Sequence, residues 1–391
     1  MRIALFTNTY LPTLNGVAIA TDLYRRGLAE RGHEVHVFAP AARGEDPFAN
    51  DPSVHRYPSA LMPGEVDYMV ALPPPFSLRV SQELGGMQLD LVHTQHPWWV
   101  GAWGKNWARR RGLPVVSTAH TQYEQYADRI PLPDAWVEGA MVSHVTRYFN
   151  DCDVISTSAN WMRQKLIDGH VRTPVELVRN PVDLSGLREP HREQTRARLG
   201  FDDDALVVGY LGRISPEKQL ERVADAVAML AEERAGARLL IVGDGSATDA
   251  LREYAAARLG DRAVFTGAVP HGEVAHYHAA MDVFATASRS ETQPLAYTEA
   301  MYVGTPVVAL ATPRAADMIA DGDNGLLVEP DLGARGIAAA IERVLVDSDL
   351  TQRLRRGGRH FAESCHYPAV AERLEEVYAL AVERNQARLR A

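Results

Sequence analysis

The sequence predicts an α/β protein made of two Rossmann-like units, and three observations support this fold class. Short apolar runs rich in β-branched residues alternate with longer helical patterns along the 391-residue chain. Strands that alternate with helices form a parallel sheet covered by helices on both faces. The alternation starts afresh after a polar stretch that contains Pro181 and Pro190. A chain of this length is expected to hold two or three domains.

The first unit begins with a buried strand and continues as a strand–helix series. Its predicted strands cover residues 3–6, 35–39, 89–93, 115–118 and 154–157. Its predicted helices cover residues 21–31, 97–111 and 160–168, and the first of them ends at Gly32. We place the N-terminal domain at residues 1–185, with the linker inside residues 180–193.

The second unit repeats the pattern. Its predicted strands cover residues 206–211, 238–242, 263–266, 283–285, 306–310 and 326–328, with a long helix over 219–234. We place this domain at residues 186–366. Residues 367–391, rich in Ala, Glu and Arg, predict a helix long enough to leave the second domain and pack back on the first.

Composition and charge exclude several classes of protein. Apolar residues make up 46% and charged residues 23% of the chain, as in ordinary globular proteins. The net charge of −9 argues against nucleic acid as a partner. The sequence contains no run of 18 apolar residues, so it predicts no membrane span. The two cysteines, Cys152 and Cys365, form no metal pattern and are expected to be buried, inert thiols. Such a low count fits a reducing compartment, so we expect a cytoplasmic protein, with any contact to the inner face of the membrane peripheral.

Open α/β sheets bind ligands at the carboxyl ends of their strands, so the loops that follow the strands carry the candidate chemistry. In the first loop, Gly16 precedes a helix, where backbone N–H groups can approach a phosphate. The alternative is an ordinary turn glycine. In the second unit, Gly212 allows a tight turn, and Arg213 and Lys218 supply two cations that suit a diphosphate. The alternative is a pair of solvated surface charges.

The third candidate is the segment from Glu291 to Glu299. Pro294 is expected in the first turn of a helix that ends at Gly304. Glu291 precedes this helix and Glu299 lies inside it, where its carboxylate could accept hydrogen bonds from a ribose diol. The alternative is an acidic residue favoured by the helix dipole, together with a surface Glu.

In this order and spacing, the three segments resemble the family-4 retaining glycosyltransferases. The loop with Gly16, the Gly212-Arg213 segment with Lys218, and Glu291-x7-Glu299 followed by Ala-Met-x-x-Gly-x-Pro all match. The resemblance implies a GT-B fold, in which two Rossmann-like domains have parallel sheets facing across a cleft and the C-terminal helix crosses back to the N-terminal domain. It extends over nearly the whole chain.

The resemblance also implies roles for individual residues. The catalytic set is His120, beside the donor sugar, Arg213 and Lys218, on the leaving diphosphate, and Glu291. The implied donor-binding residues are Asn15, Gly16, Gly212, Val269, Gln293, Pro294, Leu295 and Glu299. Reaction on one face of the sugar needs no enzyme nucleophile, and the two cations remove the need for a metal ion or other cofactor.

A tryptophan-rich segment indicates the acceptor side. His96, Trp98 and Trp99 lie near the end of a predicted strand, and a basic helix end follows. Tryptophan beside Arg and Lys is typical of a membrane interface and also stacks on sugars. The alternative is a core stripe, because Trp99, Trp103 and Trp107 recur every four residues. Residues 62–79 are expected to form an irregular acceptor-side loop.

A finer resemblance narrows the predicted function. Ser290-Glu291-Thr292-Gln293, together with His120 and the implied acceptor-side residues Tyr123 and Tyr126, resembles the diacylglycerol glucosyltransferases. Pro294 replaces the usual glycine of that subgroup and lacks an N–H. The resemblance implies transfer of a hexose, from UDP-glucose or a related UDP-hexose, to a diacylglycerol-type lipid.

Other functions stay open from the sequence. One is a GDP-mannose-dependent α-mannosyltransferase, or another transferase with a sugar or polyprenyl-linked acceptor. The other is a sugar-nucleotide epimerase or a non-catalytic nucleotide-sugar-binding protein on the same fold. A dinucleotide dehydrogenase is disfavoured because no Gly-x-Gly-x-x-Gly follows the first strand.

Overall fold

The chain divides into two compact units. A computed structural model describes residues 1–42, 44–61, 69–71, 78–120, 134–187, 189–202, 204–289 and 294–391. Unit 1 consists of Met1–Val182 and Tyr367–Ala391, and unit 2 of Asp183–His366. The division therefore falls at Val182, three residues before the boundary expected from the sequence.

Unit 1 contains a seven-stranded parallel sheet in the order β3-β2-β1-β6-β7-β8-β9. The strands are β1 (Arg2–Phe6), β2 (Glu34–Pro40), β3 (Val54–Tyr57), β6 (Leu91–Thr94), β7 (Val115–Ala119), β8 (Val154–Thr157) and β9 (Val175–Leu177). A separate antiparallel pair is formed by β4 (Ser59–Leu61) and β5 (Met69–Ala71). The helices are α1 (Gly16–Glu30), α2 (Leu78–Gly86), α3 (Val100–Arg110), α4 (Asp134–Asn150), α5 (Asn160–Asp168) and the C-terminal α13 (Tyr367–Arg390).

Two hydrophobic clusters cover the faces of this sheet. Phe6 and Phe38 stack at 4.7 Å in one cluster, beneath α3 and α4. Tyr24 of α1 and Tyr378 of α13 lie fully buried in the other. A Cβ on Gly27 would lie 2.8 Å from the Ala371 Cβ, so glycine allows α1 and α13 to approach closely. The C-terminal helix thus belongs to unit 1.

Unit 2 contains a six-stranded parallel sheet in the order β12-β11-β10-β13-β14-β15. The strands are β10 (Leu206–Leu211), β11 (Ala237–Val242), β12 (Ala263–Phe265), β13 (Val283–Ala285), β14 (Val307–Leu310) and β15 (Leu326–Val328). The helices are α6 (Arg192–Arg198), α7 (Leu220–Glu233), α8 (Thr248–Leu259), α9 (Val274–Ala280), α10 (Leu295–Val303), α11 (Gly333–Val346) and α12 (Ser348–Cys365).

The two parallel sheets confirm the predicted fold class, and several bounds differ from expectation. The first helix begins at Gly16 rather than at residue 21, because Asn15 caps it. The tryptophan helix begins at Val100 rather than at residue 97, which leaves Trp98 and Trp99 outside it. Within residues 62–79, expected to be irregular, β5 pairs with β4. Both cysteines are free and buried, as predicted.

Candidate functional site

Unit 1 gathers polar side chains at the carboxyl ends of three neighbouring strands. Asn8 follows β1, Gln95 and His96 follow β6, and His120 follows β7. The Nδ2 of Asn8 lies 3.0 Å from the Nδ1 of His96, and the Oε1 of Gln95 lies 2.7 Å from the Nε2 of His120. The backbone N–H of Gln95 donates to the Phe6 carbonyl at 2.8 Å, so the sheet itself holds this residue.

Both histidines of this cluster are neutral at pH 7. Burial lowers the pKa of His120 to about 4. Burial, and then the charge that His120 would carry, lower the pKa of His96 to about 3. A neutral imidazole has one N–H donor and one acceptor nitrogen, so each ring can make a directed hydrogen bond in either sense.

A third histidine lies one layer deeper between the same strands. The Nδ1 of His93 lies 2.8 Å from the Tyr378 hydroxyl, and its Nε2 lies 2.7 Å from the Thr118 hydroxyl. Burial, and then the charge that His120 would carry, lower the pKa of His93 to about 3. His93 therefore ties α13 to the sheet directly below the polar cluster.

The start of α1 carries two predicted donor-binding residues. The Asn15 side chain accepts from the Ala18 N–H at 2.9 Å and donates to the Thr9 hydroxyl at 2.8 Å, so it is committed to capping the helix. Gly16 is the first helical residue, and a Cβ there would meet no described atom within 4 Å. No described neighbour thus requires glycine at this position.

The acceptor-side tryptophans separate into two environments. Trp98 stacks on His144, with ring centroids 4.2 Å apart. Trp99 is 60% exposed, and its φ of 47° and ψ of −100° are strained for a residue with a side chain. Trp107 is buried in the core and Trp103 packs against it. The core-stripe interpretation therefore applies to Trp103 and Trp107, and fails for Trp99.

In unit 2, the loop after β10 packs tightly against the loop after β11. Gly212 has a φ of 149°, which favours glycine. A Cβ on Gly243 would overlap the Gly212 carbonyl, and a Cβ on Gly245 would overlap the Ile214 carbonyl. The N–H of Ile214 donates to the Asp244 carbonyl at 3.0 Å. This close backbone packing fixes the conformation of the loop after β10, which carries Arg213 and Lys218.

The two predicted cations differ in exposure. The Arg213 side chain is 74% exposed and lies 3.7 Å from Glu217. Lys218 is buried in the short 3-10 turn that precedes α7. Arg213 therefore presents its guanidinium to solvent at the carboxyl end of β10, whereas Lys218 is held in the body of the loop.

Glu299 lies in the second turn of α10 and is 5% exposed. Within the described part of the chain, the one basic side chain within 4 Å of its carboxylate is His278 of α9, with Nε2 and Oε2 3.6 Å apart. His278 is fully buried, and neither of its ring nitrogens has a hydrogen-bond partner among the described residues. Burying a carboxylate is costly unless hydrogen bonds compensate it, so this group is suited to receiving ligand hydroxyls.

The remaining predicted residues lie at the start of α10, in the loop after β12, or outside the described residues. Pro294 is the N-cap of α10 rather than a first-turn residue, and Leu295 begins the helix with its side chain partly exposed. Val269 is half-buried in the loop after β12. Tyr123, Tyr126, Glu291 and Gln293 lie outside the described residues.

Three residues of these clusters were not assigned from the sequence. Gln95 follows a predicted strand between two histidines, a local signal that could have identified it. Asn8 lies in the first loop, where its position after β1 was also a usable signal. His278 had none, since only the packing of α9 against α10 brings it to Glu299.

The structural comparisons agree with this architecture. The Anabaena protein HepE in complex with UDP is 20% identical, with 97% of this chain and 100% of that chain covered and a TM-score of 0.71. Sucrose-phosphate synthase from Thermosynechococcus elongatus is 24% identical over 97% of this chain and 98% of that chain, with a TM-score of 0.69. Two Rossmann-like units with these neighbours define a GT-B fold.

The sequence comparisons identify the family. Glycosyltransferase Family 4 matches residues 14–185, and Glycosyl transferases group 1 matches residues 191–361. The chain therefore belongs to the family-4 glycosyltransferases, as its motifs indicated.

Two relatives cover most of the chain. The alpha-monoglucosyldiacylglycerol synthase of Streptococcus pneumoniae is 32% identical, with 88% of this chain and 78% of that protein covered. The GDP-mannose-dependent alpha-mannosyltransferase of Mycolicibacterium smegmatis is 30% identical, with 89% of each covered. None of the described helices combines the length and apolar character that a membrane crossing requires.

Proposed function

We propose that this glycosyltransferase moves glucose, with retention of configuration, from UDP-glucose to a diacylglycerol-type lipid. The observation that carries the donor assignment is the buried Glu299, whose carboxylate has His278 as the one basic side chain within 4 Å among the described residues. The similarity to two alpha-monoglucosyldiacylglycerol synthases, at 32% and 28% identity, supports the lipid acceptor.

Unit 2 is the donor-binding unit in this proposal. A ribose diol offers two hydroxyl donors, and a carboxylate can accept both. Each hydrogen bond to a charged group contributes about 1.5–3 kcal/mol, so Glu299 supplies a large part of the nucleotide affinity. The start of α10, with Pro294 and Leu295, lies two turns or less from this carboxylate and receives the sugar or phosphate.

Arg213 and Lys218 neutralise the diphosphate as it leaves. Negative charge grows on the leaving phosphate oxygen in the transition state, and fixed cations placed there lower the barrier. The guanidinium bonds two oxygens at once, whereas the ammonium acts as a point charge. These two cations make an essential metal ion unnecessary, so we expect transfer to persist, within about twofold, in excess EDTA.

The proposed transfer takes place on one face of the sugar. The acceptor oxygen bonds to the anomeric carbon as the bond from that carbon to the phosphate oxygen breaks. The acceptor's proton passes to the leaving diphosphate, so no enzyme nucleophile takes part. His120, with its neutral imidazole, orients a substrate hydroxyl.

A donor and acceptor screen tests the proposal. The purified protein is incubated with UDP-glucose, UDP-galactose or GDP-mannose and dioleoylglycerol vesicles, and the products are identified by mass spectrometry. We expect glucosyldioleoylglycerol, with the proton NMR coupling of an α-glycoside. A β-glycoside would refute retention, and absence of any lipid product would refute the acceptor.

A matched pair of variants distinguishes the loss of a catalytic group from a nonspecific effect of removing an arginine. Arg213→Ala should lower kcat by about 10²–10³-fold, the usual cost of removing one group that stabilises transition-state charge. Arg335→Ala changes an exposed arginine of α11 and should leave kcat unchanged. Equal kcat values for the two variants would contradict the role of Arg213.

A second candidate is a GDP-mannose-dependent α-mannosyltransferase with a sugar or polyprenyl-linked acceptor. The 30% identity over 89% of both chains to a protein of that name favours it. The same screen decides between the two, because the mannosyltransferase would consume GDP-mannose and leave UDP-glucose intact.

We also propose that unit 1 contacts the cytoplasmic face of the membrane to reach its lipid. Exposed apolar side chains, Leu14 at 79% and Trp99 at 60%, lie in loops that follow the neighbouring strands β1 and β6. Such residues insert at a bilayer interface. Sedimentation with phosphatidylglycerol vesicles should pellet the wild-type protein and less of a Leu14→Ser, Trp99→Ser variant, and equal pelleting would oppose the proposal.

A further inference from the structure

The polar cluster of unit 1 contains two amide–imidazole pairs. Gln95 is fully buried and its Oε1 lies 2.7 Å from the Nε2 of His120. Asn8 places its Nδ2 3.0 Å from the Nδ1 of His96. In each pair, one atom of an amide faces an imidazole nitrogen: the acceptor oxygen of Gln95 and the donor nitrogen of Asn8. Whether the ring nitrogen donates or accepts depends on where the ring carries its proton.

The Gln95 contact determines where the His120 proton lies. A carbonyl oxygen can only accept, so the Nε2 of His120 must donate and therefore carries the hydrogen. In a neutral imidazole the other nitrogen, Nδ1, then has a lone pair and accepts. The buried environment that lowers the pKa of His120 to about 4 keeps the ring neutral at pH 7.

We propose that Gln95 is a positioning residue that holds His120 in its Nε2–H tautomer, so that Nδ1 accepts a hydrogen bond from a substrate sugar hydroxyl. The identity of this hydroxyl rests on the proposed function. The tautomer does not, because it follows from contacts within the folded chain.

His96 has the same Nε2–H tautomer, but it accepts a hydrogen bond from its amide partner instead of donating one. Asn8 Nδ2 and the Trp98 backbone N–H both point at its Nδ1, at 3.0 and 3.4 Å, so Nδ1 accepts and Nε2 carries the hydrogen. In each ring, the nitrogen that does not face the amide therefore has the other role: Nδ1 of His120 accepts and Nε2 of His96 donates.

The tautomer is measured directly by two-bond ¹H–¹⁵N NMR of the ¹⁵N-histidine-labelled full-length protein. The His120 signals are assigned with a His120→Gln variant. At pH 7 we expect the pattern of a neutral Nε2–H ring in the wild type. A pattern of an Nδ1–H ring would mean that Gln95 presents its amide nitrogen instead, and would overturn the proposal.

Two substitutions at Gln95 test the consequence. Gln95→Glu keeps the shape and places a carboxylate on Nε2–H, which stabilises the imidazolium, so the acidic limb of the pH profile of kcat/KM should move upward by about 1–3 units. Gln95→Leu removes the acceptor, so the tautomers should mix and kcat should fall roughly tenfold, with the KM for the nucleotide sugar unchanged.

A control and the NMR readout keep the outcomes distinct. Gln164→Glu alters an exposed glutamine of α5 and should change neither the tautomer nor the pH profile. If Gln95→Leu misfolds, Gln95→Glu still reports through the pH profile, and an unmoved profile would overturn the proposal. A wild type that shows the Nε2–H tautomer but transfers no sugar would refute the proposed function and still support the role of Gln95.

Discussion

Replacement of Glu299 by alanine should weaken nucleotide binding strongly while leaving the fold intact. Glu299 is 5% exposed and, among the described residues, the imidazole of His278 lies 3.6 Å from its carboxylate. A contact of 3.6 Å is longer than a good hydrogen bond, so the carboxylate retains accepting capacity for a ligand. Losing one charge-assisted hydrogen bond costs about 1.5–3 kcal/mol, which raises Kd roughly 10- to 150-fold.

Isothermal titration calorimetry with UDP and GDP measures this effect. We expect Glu299→Ala to raise the Kd of whichever nucleotide the wild type binds by at least about tenfold. Glu299→Gln retains an acceptor oxygen without the charge and should lie between the two. Glu232→Ala, which alters an exposed residue of α7, should match the wild type.

Thermal unfolding distinguishes lost binding from lost structure. Glu299→Ala removes a carboxylate whose described contact to His278, at 3.6 Å, is longer than a good hydrogen bond, so little stabilisation is lost and we expect Tm to move by no more than a few degrees. A Kd within about threefold of the wild type would refute the ribose assignment. A large fall in Tm would show that Glu299 is mainly structural.

Three further predictions concern stability. Trp99→Gly should raise the free energy of unfolding by about 1 kcal/mol in a urea titration, because glycine relieves the strain at φ 47°. Trp99→Ala should give no such increase. A destabilised Trp99→Gly variant would refute the strain. His93 has a folded pKa of about 3, below its unfolded value, so the unfolded chain binds the proton first as pH falls and stability is lost from about pH 6.5 downward. At pH 5 the lost stability is about 2 kcal/mol. His93→Gln should reduce, by this amount, the fall in the free energy of unfolding between urea titrations at pH 7.5 and pH 5. An unchanged fall would contradict the low pKa of His93. Gly27→Ala should destabilise unit 1 by about 1–3 kcal/mol by pressing on Ala371, while Gly85→Ala, whose Cβ meets no described atom within 4 Å, should be neutral or slightly stabilising; equal Tm values would contradict the close packing of α1 and α13.

Local patterns were sufficient to predict the class of fold. The alternation of apolar runs and helical patterns is a property of neighbouring residues, and both parallel sheets confirm it. Glycine at residue 304 ends α10 with a φ of 86°, as its position after the helical run indicated. Short edge strands such as β3 and β9 were not predicted, since three or four residues carry too little periodicity.

The candidate clusters required the tertiary structure. Strand order places β1 beside β6 and β6 beside β7, so Asn8 meets His96 across 88 residues and Gln95 meets His120 across 25. The regular spacing of the tryptophans predicted one helical stripe. Trp99 instead precedes α3, which begins at Val100, so it lies outside the helix that carries Trp103 and Trp107.

The sequence alone therefore determined the two-unit α/β fold and the motifs that place the chain among the family-4 glycosyltransferases, because strand, helix and loop signals are local. Only the tertiary structure decided which side chains meet, such as His278 with Glu299 and Gln95 with His120. Those contacts depend on strand order, helix packing and burial, which arise when distant segments come together.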